Sequence, residues 1–141
     1  TYVRGGEQLS VAPVVAQPTL RDISTLVADA RTLGTTVTVT GDPGEVPPRV
    51  ARTAYRIIQE GLTNARKHAP GMPVSVRLAA DDAALTIDVS QPVRPGAPAT
   101  PGAGLGVLGL RERVALHGGT LESGPGADGH WLLRARIPLQ A

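Results

Sequence analysis

The chain has 141 residues, a formal net charge of +2 and no cysteine. That length is enough for one domain with a hydrophobic core, and the missing cysteines exclude disulfides and thiolate metal sites. No basic run marks a nucleic-acid surface, no apolar run approaches the ~20 residues that cross a bilayer, and no signal peptide is visible.

Residues 1–17 show no clean period and read as a linker or N-terminal arm, with the folded domain expected over 18–141. A chain that opens on Thr1 is expected to be a piece of a longer protein, cytoplasmic in this part, with any membrane anchor upstream. Aromatic side chains are confined to Tyr2, Tyr55 and Trp131, so the core must be built from Leu, Val, Ile and Ala. Leu20, Ile23, Leu26, Val27, Ala30 and Leu33 fall at helical spacing, with Thr19 as N-cap and Gly34 as the stop. Residues 35–40 alternate through Val37 and Val39 and predict a strand. Residues 41–44 form a turn. Pro47 and Pro48 then open a long helix, where a missing N–H does no harm, and it ends near Ala69.

Projected at about 100° per residue, Val50, Ala54, Ile57, Ile58, Gly61, Leu62, Ala65 and Ala69 share one broad face of this helix. Arg52, Arg56, Gln59 and Thr63 point toward water. Glu60, Asn64 and Lys67, at i, i+4 and i+7, form a second stripe beside the apolar one. Oxygen ligands suit a hard cation, and an ammonium suits a phosphate. Lys67 is also the only lysine among 14 basic residues. A merely solvated flank would use the same residue types, so the stripe alone decides nothing.

Val74, Val76 and Leu78 alternate with polar residues, Asp81 and Asp82 turn the chain, and Leu85, Ile87 and Val89 alternate again, which predicts a hairpin. In residues 91–103, Pro92, Pro95, Pro98 and Pro101 recur every third residue, the period of polyproline II, so an extended strap is expected. A third helix is predicted over 104–117, with Leu105, Leu108, Val114, Ala115 and Leu116 available for packing. Residues 120–123 and 130–139 read as strands, the latter with Trp131, Leu133, Ala135 and Ile137 on one face. The order α β α β β α β β predicts an α/β two-layer sandwich, its sheet mixed but mostly antiparallel and covered on one face by about three helices.

Gly102, Gly104 and Gly106 precede and open the third helix. Backbone N–H groups there are open to an anion, and the helix dipole adds ~0.3–1 kcal/mol per charge. A polyphosphate would need a second contact, which the long helix offers. Residues 104–109 also fit G-x-G-x-x-G, but a dinucleotide fingerprint needs a strand directly before it and a βαβ frame. Neither is present. No G-x-x-x-x-G-K-[ST] exists either.

Two stretches resemble the sensor histidine kinases. RIIQEGLTNARKHA (56–69) is similar to their N-box, and GLGVLGLRERV (104–114) to their G2 box. QE-x-LTN-x-x-KHA, GLxGLRERV and LVADARTLGTTVTVTGD (26–42) resemble the NarL/DesK-like subfamily, which often pairs with LuxR/NarL-type response regulators. The resemblance implies a Bergerat (GHKL) ATP-binding fold using ATP and Mg²⁺. On it, Asn64 would ligate Mg²⁺ and Lys67 would contact the phosphates, with His68 as helper. Glu60 would stand at the position of the superfamily's general base. Gly102, Gly104, Leu105 and Gly106 would close over the phosphates and offer N–H groups. His117, at a helix end, is expected to be structural.

One box departs from the family. Where D-x-G-x-G should begin, the chain has Gln91-Pro92-Val93-Arg94-Pro95. Gln91 could accept from the adenine amino group as a neutral amide, worth ~0.5–1.5 kcal/mol against ~1.5–3 for a charged partner. Binding about tenfold weaker is expected. Asp88, on the opposite face by alternation, is not expected to substitute.

The implied function is to present the γ-phosphate of ATP to a His on separate dimerisation helices, and indirectly to a response regulator. His68, His117 and His130 all lie within the fold, so the isolated chain is not expected to label itself. Three alternatives stand beside it: a degenerate, pseudokinase interaction module of the same fold, an anti-sigma-factor serine kinase, and an ATPase with Glu60 as base.

Overall fold

A computed structural model describes residues 20–92, 105–126 and 129–140. The elements run α1 (Leu20–Thr32), β1 (Val37–Thr40), α2 (Pro48–His68), β2 (Val74–Ala80), β3 (Ala84–Pro92), α3 (Leu105–Leu116), β4 (Thr120–Pro125) and β5 (His130–Pro138). The strands form one sheet in the order β1-β2-β3-β5-β4. β1 pairs parallel with β2, and every other neighbouring pair is antiparallel. This is the predicted mixed two-layer sandwich.

The strand alternation decides where the helices go. Val74, Val76 and Leu78 of β2, Leu85, Ile87 and Val89 of β3, and Leu133, Ala135 and Ile137 of β5 are all buried on one side. α2 fills that side with Val50, Ala54, Ile57, Ile58, Leu62 and Ala65, the face its sequence periodicity marks out. Pro48 opens α2 behind Pro47, and the Ala69 N–H closes it on the Ala65 carbonyl. α1 joins the same core through Ile23, Val27 and Ala30.

The opposite sheet face carries charge. Arg77, Asp88, Arg134 and Glu122 stand side by side across β2, β3, β5 and β4. Signs alternate along this row, which favours each cross-strand neighbour.

Several boundaries differ from the sequence reading. β1 begins at Val37 rather than Thr35, and β4 runs on to Pro125. β3 extends through Gln91 and Pro92, where a strap was expected, because the ladder to β5 persists to Gln91↔Trp131 and Pro92↔His130. Residues 93–104 of that strap, the arm over 1–17 and the Thr19 cap lie outside the described residues.

Gln59 and Thr63 are half-buried rather than turned to water. Leu33, just past α1, is 62% exposed and Val39, on the edge strand, 39%. α3 is corrected most: Leu108 and Leu116 are 51% and 86% exposed, and Ala115 is exposed as well. Among its described side chains the buried positions are Val107 and Val114, seven residues apart on one stripe. Leu108 lies about 100° round from that stripe and misses the core. Among the described residues, no helix is long and apolar enough to cross a membrane.

Candidate functional site

The polar stripe of α2 lies at the margin of the core. Glu60 and Asn64 are half-buried and Lys67 is exposed. One helical turn separates each from the next, so all three side chains stand on the same edge. His68 is the last residue of α2, and its side chain lies outside the described residues.

The start of α3 comes to this same edge. A methyl group built on Gly106 would fall on the carboxylate of Glu60, with Cδ and Oε1 each 2.5 Å away. Only a residue without Cβ leaves that carboxylate where it stands. The first-turn N–H groups of a helix have no intrahelical acceptor, and α3 has no acidic residue in its own first turn. Glu60 supplies negative charge there from the neighbouring helix, which the dipole favours. Gly102, Gly104 and the Leu105 side chain lie outside the described residues.

Gln91, the residue expected at the adenine edge, stands on β3. It is 7% exposed and continues the buried series Leu85, Ile87, Val89 on the helix-covered side of β3. Its amide makes no hydrogen bond among the described residues, whereas the buried Thr53 hydroxyl donates to the Arg49 carbonyl at 3.1 Å. Asp88 is on the other face. The Arg134 Nε donates to its Oδ1 at 2.7 Å and Nη2 to its Oδ2 at 3.3 Å. That pairing draws the Arg134 guanidinium pKa further up, through the hydrogen bond first and the Asp88 charge second. The nearest carboxylate in sequence to Gln91 is therefore engaged elsewhere.

Among the described residues, no group of three or more His, Cys, Asp or Glu side chains is arranged to hold a metal ion. His117 is half-buried just past α3, its N–H donating to the Val114 carbonyl at 3.0 Å, as a helix-end residue does.

No family model matches the chain. The sensor histidine kinase LnrJ of Bacillus subtilis is 31% identical over 103 residues, covering 72% of this chain and 25% of its own length. The blue-light activated histidine kinase of Erythrobacter litoralis EL346 superposes with a TM-score of 0.66 at 21% identity, over 86% of this chain and 45% of that one. The chain is a catalytic domain of the histidine kinase type. The ATP binding domain of PrrB from Mycobacterium tuberculosis matches it nearly end to end, with a TM-score of 0.59 at 19% identity over 83% of this chain and 90% of that one. The chain spans about a quarter of the curated relative's length.

In this catalytic domain, Glu60, Asn64 and Lys67 share one edge of α2, and Gly106 meets that edge at Glu60. Gln91 lies near the end of β3, buried on the helix-covered side of the sheet. Sequence reasoning assigned Trp131 only to the packing face of β5. Register puts it directly opposite Gln91, on the same side of the sheet. Alternation gives the face of a residue, but its cross-strand partner follows only from register.

Proposed function

We propose that this catalytic domain binds Mg-ATP between the polar edge of α2 and the start of α3, and presents the γ-phosphate to a His on separate dimerisation helices. The observation that carries this is the contact of Gly106 with Glu60. It brings the glycine start of one helix to the polar stripe of the other, so one triphosphate can meet both.

The residues fit the ion and the nucleotide. Mg²⁺ keeps several waters and is held through one or two protein oxygens plus substrate phosphates. An amide oxygen from Asn64 beside phosphate oxygens suits that habit better than an all-protein cage. Lys67 and His68 would meet phosphate charge. Gly102, Gly104, Leu105 and Gly106 would offer N–H groups, and Gln91 would accept from the adenine amino group. Glu60 would orient the attacking group or the metal's water shell. Positioning and electrostatics then supply the catalysis of an in-line phosphoryl transfer. The subfamily motifs favour a NarL/DesK-like kinase, with a response regulator taking the phosphoryl group from the acceptor His.

The test is calorimetry with Mg-ATP, followed by mixing with radiolabelled ATP and a His-bearing helix pair. Micromolar or weaker binding, lost in Asn64→Ala, and label on the helix pair but not on this chain are expected. No binding at millimolar Mg-ATP would overturn the proposal and leave an interaction module, a reading the comparisons do not support.

A further inference from the structure

The buried amide of Gln91 can read a base in two ways. A primary amide carries an acceptor oxygen and a donor NH₂ side by side. Adenine presents a donor, its amino group, next to an acceptor, N1. Guanine presents the reverse order, the acceptor O6 next to the donor N1–H. The terminal torsion of Gln is broad and close to two-fold, so turning the amide by half a revolution reverses its own order to match. An ionised carboxylate accepts only and has no such second setting.

Two features of the fold leave that turn open. Gln91 is 7% exposed, yet its amide has no hydrogen bond among the described residues to fix one orientation. An unsatisfied buried amide costs free energy until a partner arrives. Asp88, which could have imposed an acceptor-only edge, faces the other side and is bonded to Arg134 at 2.7 Å. Trp131 stands opposite Gln91 in register and packs, partly buried, against the core. An indole beside a base edge offers stacking that every base accepts, whichever edge the base presents.

We propose that Gln91 makes this nucleotide site a reader of both purines, so that Mg-GTP binds as well as Mg-ATP. The inference rests on the nucleotide reading of the preceding section. Its test separates the two. Trp131 is the only tryptophan of the chain, and its emission reports the site directly.

Mg-ATP and Mg-GTP are titrated into the protein by fluorescence and by calorimetry, for the native chain and for Gln91→Leu. Dissociation constants for the two nucleotides within tenfold of each other are expected, with both raised about tenfold or more in Gln91→Leu. A Kd for GTP more than tenfold above that for ATP overturns the proposal, and so does a Gln91→Leu effect on one nucleotide alone. If neither nucleotide binds a chain that still melts cooperatively, the nucleotide site itself is refuted, and this inference with it.

Discussion

Gly61 of α2 lies directly over Val89 of β3. A Cβ at residue 61 would stand 2.9 Å from Val89 Cγ1 and 3.2 Å from Cβ. The helix that carries the polar stripe therefore rests on the Val89 side chain with none of its own at that point.

Gly61→Ala should destabilise the domain in spite of the gain in helix propensity. Overpacking a tight contact costs about 1–3 kcal/mol, and replacing Gly by Ala within a helix returns about 1. A net loss of up to about 2 kcal/mol is expected, read as a lower urea unfolding midpoint. An unchanged midpoint would mean that α2 rides higher above β3 than the contact indicates.

Gly106→Ala should separate stability from function. The clashing group is the far end of Glu60, which can swing aside, and Gly106 itself is exposed. Unfolding free energy should change by less than about 1 kcal/mol. Mg-ATP affinity or phosphoryl transfer should fall about tenfold, one decade being about 1.4 kcal/mol. A double-mutant cycle with Glu60→Ala should show coupling between the two sites. Additive effects would mean that the contact has no functional weight.

Asp88 and Arg134 should matter little to either property. Their pair is exposed on the arginine side, 56% against 18% for Asp88, and such pairs are worth about 0.2–1 kcal/mol. Asp88→Asn should cost no more than that, and less in high salt. It should also leave Mg-ATP affinity unchanged, because its side chain is across the sheet from Gln91. A clear loss of affinity would mean that Asp88 stands in for the missing acidic base reader.

Acid stability should track Asp81. At the β2–β3 turn its carboxylate accepts the Ala83 and Ala84 N–H groups, each at 2.8 Å. These bonds, Ala84 first and Ala83 second, hold its pKa below the ordinary carboxylate value. A folded-state pKa below the unfolded one contributes stability above the unfolded value, and that contribution is lost as pH falls through the folded value. Asp81→Ala should therefore lower the urea midpoint near neutral pH, and the gap to the native chain should close as pH falls below the ordinary carboxylate range. A gap that stays constant with pH would assign the effect to the turn's shape rather than its charge.

The fold was legible wherever one period held. α2 offered a full apolar face, and Val50 through Ala65 are buried as that face requires. The hairpins followed from alternation in β2, β3 and β5. α3 misled because its leucines surround it: Leu108 and Leu116 look like core until Val107 and Val114 are seen to hold the inward stripe. Prolines misled at the end of β3, since a last strand residue needs no inward N–H and Pro92 ends the ladder opposite His130. The polar stripe was readable from spacing, but its meeting with Gly106 was not. Residues 60 and 106 are joined by tertiary packing, which no local pattern encodes.

α3 is fastened along a single seam. Val107, Leu110 and Val114 face inward, and the Arg111 Nε donates to the Leu121 carbonyl of β4 at 3.1 Å. A cylinder held along one line resists sliding more than swivelling. A small rotation about that line would carry residue 106 toward or away from Glu60 while the sheet beneath stays intact, and the guanidinium would pass the same rotation to the edge of β4. One hydrogen bond thus ties the outermost strand to the helix whose start meets Glu60.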